Sequence, residues 1–135
     1  MKSFFLDTGY LIALESADDQ YHTLALSHWE EFIVTLPKLI TTSYIFDETV
    51  TFFNSRHQQA KAVEIGTRLL SSPSIELVFV DETLFYEGWE YFQKHADKSY
   101  SLTDCISFMV MTKEGITEAL TFDRHFVQAG FTKLP

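Results

Sequence analysis

Apolar and polar positions follow two rhythms along this chain: short apolar runs, and longer stretches with an apolar residue every third or fourth place. Ser3 to Leu6 reads as a buried strand, and Thr8 to about Leu14 as a helix. From His22 to Leu36 the apolar residues Leu24, Leu26, Trp29, Phe32, Ile33 and Leu36 lie close to a helical stripe. Lys38 to Thr41 is a short strand, and Ser43 to Asn54 and Gln58 to Leu70 are helical. Ile75 to Val80, β-branched and aromatic, carries the strongest strand signal. Asp81 to His95 and Ser101 to Lys113 read as helices. Ala119 to Phe122 reads as a strand, Arg124 to Gln128 as a short helix and Phe131 to Leu134 as a last strand. Strands alternating with helices predict an α/β fold with a mainly parallel central sheet, whose functional groups gather at the carboxyl ends of the strands.

Composition narrows this picture. A length of 135 residues predicts one domain over 1–135, and the sequence has no repeat, low-complexity tract or linker. An apolar content of 46% against 21% charged residues describes a globular chain, and 13 Phe predict a bulky core. The single cysteine, Cys105, excludes an intramolecular disulfide framework and a thiolate zinc cluster; beside Ile106, Phe108, Met109 and Val110 it reads as core filler. Ten Lys+Arg against 19 Asp+Glu give a net charge of −9. That argues against salt-driven clamping of nucleic acid, but not against nucleic acid brought to a local metal site. The opening Met1-Lys2-Ser3-Phe4-Phe5-Leu6-Asp7 meets an acid too early for a signal peptide, and no apolar run reaches the roughly 18 residues of a membrane span. A cytoplasmic protein without a membrane partner is expected.

Two strand signals run directly into an aspartate, Ser3–Leu6 into Asp7 and Ala119–Phe122 into Asp123. Either Asp alone reads best as a helix cap. Both together favour function, because a parallel sheet puts them on one rim. Asp104 has capping-box spacing after Ser101 and also belongs to a first helical turn. Glu48 falls between Tyr44 and Phe52 at the border of an apolar helix face, whereas Asp47 points to solvent. Clustered carboxylates repel unless a cation neutralises them, and Mg²⁺ or Mn²⁺ takes oxygen ligands.

Four segments carry a resemblance. They are Phe5-Leu6-Asp7-Thr8-Gly9-Tyr10-Leu11-Ile12-Ala13-Leu14, Thr42-Ser43-Tyr44-Ile45-Phe46-Asp47-Glu48-Thr49, Tyr100-Ser101-Leu102-Thr103-Asp104-Cys105 and Leu120-Thr121-Phe122-Asp123-Arg124-His125-Phe126. In this order they resemble the acidic blocks of the PIN domain, in particular of VapC-type ribonuclease toxins. The resemblance implies a three-layer α/β/α domain and a divalent-metal endoribonuclease that uses Mg²⁺ or Mn²⁺. It implies Asp7 and Asp104 as principal metal ligands, with Glu48 and Asp123 completing the pocket. Thr8, Thr103 and Thr121 become candidates for orienting the carboxylates. RNA is the implied substrate, and a small antitoxin the implied partner.

Other features have plainer readings. His22, His28, His57, His95 and His125 lack zinc-helix spacing and read as surface residues, with His125 alone close to the acids. Arg56, His57 and Lys61, then Lys94, His95 and Lys98, are modest basic clusters which, with Arg124, are the candidates for phosphate contacts. Phe85, Trp89 and Phe92 form a helical stripe expected in the core, and part of the aromatic excess is expected at a homodimer face. The rival function is a non-catalytic PIN-like interaction module in which the acids only cap helices. A nucleotide-handling enzyme is disfavoured by the absence of a P-loop or G-x-G-x-x-G. A phospho-acceptor domain is disfavoured because Asp81, after the strongest strand, reads as a cap.

Overall fold

A computed structural model describes residues 2–135. Five strands, β1 (Ser3–Leu6), β2 (Lys38–Thr42), β3 (Ile75–Val78), β4 (Glu118–Leu120) and β5 (Thr132–Leu134), form one sheet in the order β3-β2-β1-β4-β5. Every pairing is parallel. Seven α-helices connect them: α1 (Thr8–Glu15), α2 (His22–Phe32), α3 (Ser43–Ser55), α4 (Gln59–Ser71), α5 (Glu82–Lys94), α6 (Leu102–Glu114) and α7 (His125–Gln128). Helices α1 to α4 pack together, as do α5 to α7. Right-handed crossovers put the first group on one face of the sheet and the second on the other, the expected α/β/α sandwich.

The strand order turns at β1. The chain moves outward from β1 to β2 and β3, then returns to add β4 and β5 on the other side. The carboxyl ends of β1 and β4 therefore flank a switch point, where parallel sheets leave a crevice. Register sets the details. Leu6 pairs with Leu120, and the Asp7 N–H donates to the Leu120 carbonyl at 3.1 Å, so the residues after the two strands meet.

The core lies along the inner strands and α6. Phe5, Leu6, Leu39, Ile40, Ala119 and Leu120 are buried, and α6 buries seven residues from Asp104 to Met111, including Cys105. Helix α5 packs on α6 through Gly88, where a Cβ would stand 2.5 Å from Ile106 Cγ1. This close crossing fixes the helix that carries Asp104.

Several expectations need correction. The helix from His22 ends at Phe32, passes into a 3-10 turn over Ile33–Thr35, and stops at Leu36, whose φ of 53° is left-handed. Its apolar stripe is only partly covered, since Leu24, Leu26 and Leu36 are exposed. The strongest strand signal belongs to an edge strand that ends at Val78, leaving Phe79 exposed. The Phe85, Trp89 and Phe92 stripe is not core: together with Tyr86 it lies exposed on α5. Only His57 of the five histidines is fully at the surface; the other four are half-buried.

Candidate active site

Asp7 leaves β1 at the cap position of α1, yet its side chain makes no cap hydrogen bond. It turns inward, 7% exposed, and Oδ2 accepts a hydrogen bond from Thr121 Oγ1 at 2.7 Å. The same Thr121 hydroxyl accepts the Asp123 N–H at 3.0 Å. Thr121 is itself held by its N–H, which donates to the Leu134 carbonyl of β5 at 2.9 Å. One buried threonine thus ties the end of β1 to the loop after β4.

Asp104 does form the expected capping box. Its N–H donates to Ser101 Oγ at 2.9 Å, and its Oδ2 accepts from the Ser101 N–H at 3.1 Å. That bond fixes the carboxylate beside the crevice. Asp123 Oδ1 accepts the His125 N–H at 2.9 Å, and His125 Nδ1 lies 3.0 Å from Asp104 Oδ2 and 3.4 Å from Asp123 Oδ1. An ionised carboxylate can only accept, so Nδ1 carries the proton and donates to Asp104, with Asp123 close beside the ring. Glu48, exposed on α3, accepts from Thr8 Oγ1 at 2.7 Å.

All four sequence-predicted acids border one open cleft of about 500 Å³. Asp104, Asp123 and His125 are the tightest set, with potential ligand atoms within 4.8 Å of one another. Asp7 stands outside that set, joined to it through Thr121. The donors are carboxylate oxygens, a set suited to a hard divalent cation, with the protonated His125 Nδ1 beside them. Burial pushes the Asp7 carboxyl up to about 7, against the Thr121 hydrogen bond, and the neighbouring Asp104 and Asp123 charges raise it further. Burial also raises Asp104, opposed by the Ser101 N–H, with the Asp123 charge adding to the rise. Both rises come first from burial and then from the neighbouring carboxylates.

The sequence places His125 close to the acids while reading it as a surface group; its ring lies within the site, half-buried. Sequence reasoning passed over Asp19 and Tyr21, which reach the cleft from the turn between α1 and α2. No local signal marks them, because their place depends on how that turn folds back over the sheet edge. Of the three candidate threonines, Thr8 and Thr121 bond carboxylates, while Thr103 offers its carbonyl to Ser107. The basic candidates lie elsewhere. Arg56 covers the Phe52 ring, Lys61 faces Glu15, Lys94 pairs with Glu90 and Lys98 with Asp97. Arg124 is exposed and does not line the cleft. Cys105 is fully buried, and burial pushes its thiol up to about 11, which suits a filler and not a nucleophile. A larger cleft of about 700 Å³, between α1, α2 and α4, is mostly apolar, with Glu15 and Arg68 paired at 3.0 Å on its wall.

Comparison with known proteins bears on the family and the fold. The family model of the PIN domain matches residues 4–132. The 23S rRNA-specific endonuclease VapC20 of Mycobacterium tuberculosis, from strains CDC 1551 and H37Rv, is 33% identical over 130 residues, 96% of each chain. The crystal structure of VapC20, described as a sarcin-ricin loop cleaving toxin, superposes with a TM-score of 0.88 at 31% identity, covering 97% of this chain and 98% of that one. FitAcB from Neisseria gonorrhoeae shares the fold alone, with a TM-score of 0.68 at 14% identity over 98% of this chain and 96% of its own.

Proposed function

Since the chain belongs to the PIN-domain family, we propose that it is a divalent-metal-dependent endoribonuclease, the toxin of a toxin–antitoxin pair, hydrolysing RNA phosphodiester bonds. One observation carries this reading. Asp7, buried and free of any capping role, converges with Asp104 and Asp123 on the crevice where the sheet order turns. A purely structural set of caps would not bury one acid against two others at the cost of raising its pKa.

Asp7 and Asp104 hold Mg²⁺ or Mn²⁺, completed by Glu48 and Asp123. Such an ion, when bound, lowers the pKa of a water and stabilises the leaving oxygen. The chain's own residues prepare the ground. Thr121 orients Asp7, the Nδ1–H of His125 holds Asp104 in place, and Thr8 aims Glu48 into the cleft. No side chain is asked to form a covalent intermediate.

The substrate is 23S rRNA, by likeness to VapC20 at one-third identity over nearly the whole chain. A small antitoxin is the protein partner, and the 700 Å³ apolar cleft is the kind of surface such a partner covers. The exposed aromatic face of α5 pairs two copies as a homodimer. Among the described residues no helix is long and apolar enough to cross a membrane, and the cytoplasm, where the RNA is, is the site of action.

The test is incubation of 23S rRNA and tRNA with the protein in Mg²⁺, Mn²⁺ or EDTA, with Asp104→Asn alongside. Asn keeps an acceptor oxygen for the Ser101 N–H, so the helix cap survives the change. Cutting that needs metal and is lost in the variant is expected. Equal cutting in EDTA, or by Asp104→Asn, would sink the assignment.

A further inference from the structure

The cleft poses an electrostatic problem. Asp7, Asp19, Glu48, Asp104 and Asp123 all line it, no Lys or Arg does, and the chain as a whole carries −9. A bound divalent ion can neutralise the phosphate being cut. Neighbouring nucleotides find no Lys or Arg in that lining; Lys133, whose Nζ stands 5.9 Å from the Phe122 ring centroid, donates to the Pro135 carbonyl, so a contact that does not depend on charge is needed to hold them.

The structure supplies a suitable surface. Tyr21 lies flat on Phe122, with ring centroids 4.5 Å apart and planes 7° from parallel. Phe122 precedes Asp123 in the chain and stacks in turn on the buried Tyr10, at 5.9 Å and 15°. Tyr10 is fixed by a hydrogen bond between its hydroxyl and His28 Nδ1 at 2.8 Å. Three rings are therefore layered from the cleft into the core, with Tyr21 outermost and 41% exposed. One face of that ring is covered by Phe122, so its exposure lies on the opposite face and edges.

Tyr21 is also held in advance. Its N–H donates to Asp19 Oδ2 at 2.9 Å, the His22 N–H donates to the Asp19 carbonyl at 3.0 Å, and His22 Nδ1 bonds the Ala13 carbonyl at 2.7 Å. A planar, pre-ordered ring binds a flat partner with little loss of freedom.

We infer that Tyr21 is a stacking platform for an unpaired nucleobase of the RNA strand that enters this cleft, a deepening that rests on the ribonuclease reading above. Stacking needs only the face of a base, so the platform tolerates any of the four and works where an acidic cleft repels backbone. Tyr21 acts here as a positioning residue beside the acids.

The test reads stacking without catalysis. A single-stranded RNA oligonucleotide carrying 2-aminopurine at successive positions is titrated with Asp104→Asn protein in Mg²⁺, with Tyr21, Tyr21→Leu, Tyr21→Phe or Tyr21→Trp. Fluorescence at one position is expected to be quenched by Tyr, Phe and Trp and not by Leu. In the cleaving protein, Tyr21→Leu is expected to raise KM about ten-fold or more, with kcat changed far less and with Trp restoring KM. Quenching unaffected by Leu, or a fall in kcat and melting temperature with KM unchanged, would overturn the platform. RNA cutting by the unaltered protein with no quench at any position overturns the platform and leaves the nuclease standing. A Tyr21-dependent quench without cutting supports the platform and removes the nuclease.

Discussion

Thr121 and Asp7 are 114 residues apart in sequence, and the hydroxyl of one donates to the carboxylate of the other at 2.7 Å inside the protein. The bond joins two strand ends, and the same hydroxyl accepts from the Asp123 backbone. The position of two site acids therefore hangs on one small side chain with both hydrogen-bonding roles filled.

Thr121→Val keeps the shape and removes both roles. It leaves a buried carboxylate oxygen and the Asp123 N–H without partners, at a cost of about 1–3 kcal/mol each. The Asp7 pKa should rise above its present value of about 7, because the lost bond was lowering it. Calorimetric titration with Mn²⁺ at pH 7 should show weaker binding, while Thr121→Ser should retain most of it. Equal Mn²⁺ affinity in Val and Thr proteins would detach Thr121 from the site.

The pH behaviour of the metal-free protein has a definite sign. Asp7 titrates near 7 when folded and near 3.8 when unfolded, so the folded state holds an extra proton between those values. Stability in EDTA should be greatest below about pH 4 as far as this group is concerned, and should decline as pH rises towards 7. The decline amounts to about 1.4 kcal/mol per pH unit at most. Asp104, also raised by burial, adds in the same direction. Melting curves from pH 4 to 8 should show the decline in the wild type and a flatter profile in Asp7→Asn.

Metal should reverse that trend, since the ion and the proton compete for the same oxygens. At a hundredfold excess over its dissociation constant, Mn²⁺ should stabilise the fold by about 2.7 kcal/mol. The gain in melting temperature should be larger at pH 8 than at pH 5.5. Asp104→Asn and Asp123→Asn should each cut it sharply. A rise in melting temperature that ignores pH and both variants would place the ion somewhere else.

Glu48→Gln keeps the size of the side chain and an acceptor for Thr8 but removes the charge. Metal-dependent cleavage should drop about 10–100-fold, with little change in unfolding free energy. Asp47→Asn, one residue earlier and solvent-exposed, is the control and should cut normally. Equal activities in the two would show that the cleft does not use the α3 carboxylate.

Gly88→Ala tests how α6 is held. The new methyl would sit 2.5 Å from Ile106 Cγ1, so the buried Ile106 side chain, or the helix that carries it, has to shift. The overpacking costs about 1–3 kcal/mol, against a gain of up to about 1 kcal/mol in helix propensity. Denaturant unfolding should show net destabilisation. Because α6 carries Asp104, Mn²⁺ affinity should fall with it.

The acids were legible in sequence because their placement is topological. β1 runs straight into Asp7, as the pattern predicts, whereas β4 ends at Leu120 and Asp123 reaches the same rim from the loop that Thr121 holds. Helix periodicity likewise separated Glu48 from Asp47. What escaped was set by tertiary packing. Ile75 to Val80 has the composition of a central strand, but composition does not report a strand's place in the sheet, and this one is at the edge. The stripe on α5 and part of that on α2 have helical spacing and still face solvent, because periodicity defines a face without saying what covers it. Tyr21 joins the site through a turn whose direction no local pattern encodes, and for His125 the sequence shows nearness to Asp123 but not the bond of its ring to Asp104.

The distance in sequence between Asp7 and Thr121 also bears on when the site comes into being. Contacts of such long range close large loops and form late in folding. A chain with β1 to β3 and α1 to α4 in place has Asp7 and Glu48 but lacks Asp104, Asp123 and the Thr121 hydroxyl that orients Asp7. Such a half-built molecule lacks most of the acidic cluster, so any activity that depends on the cluster waits until the last part of the chain has folded.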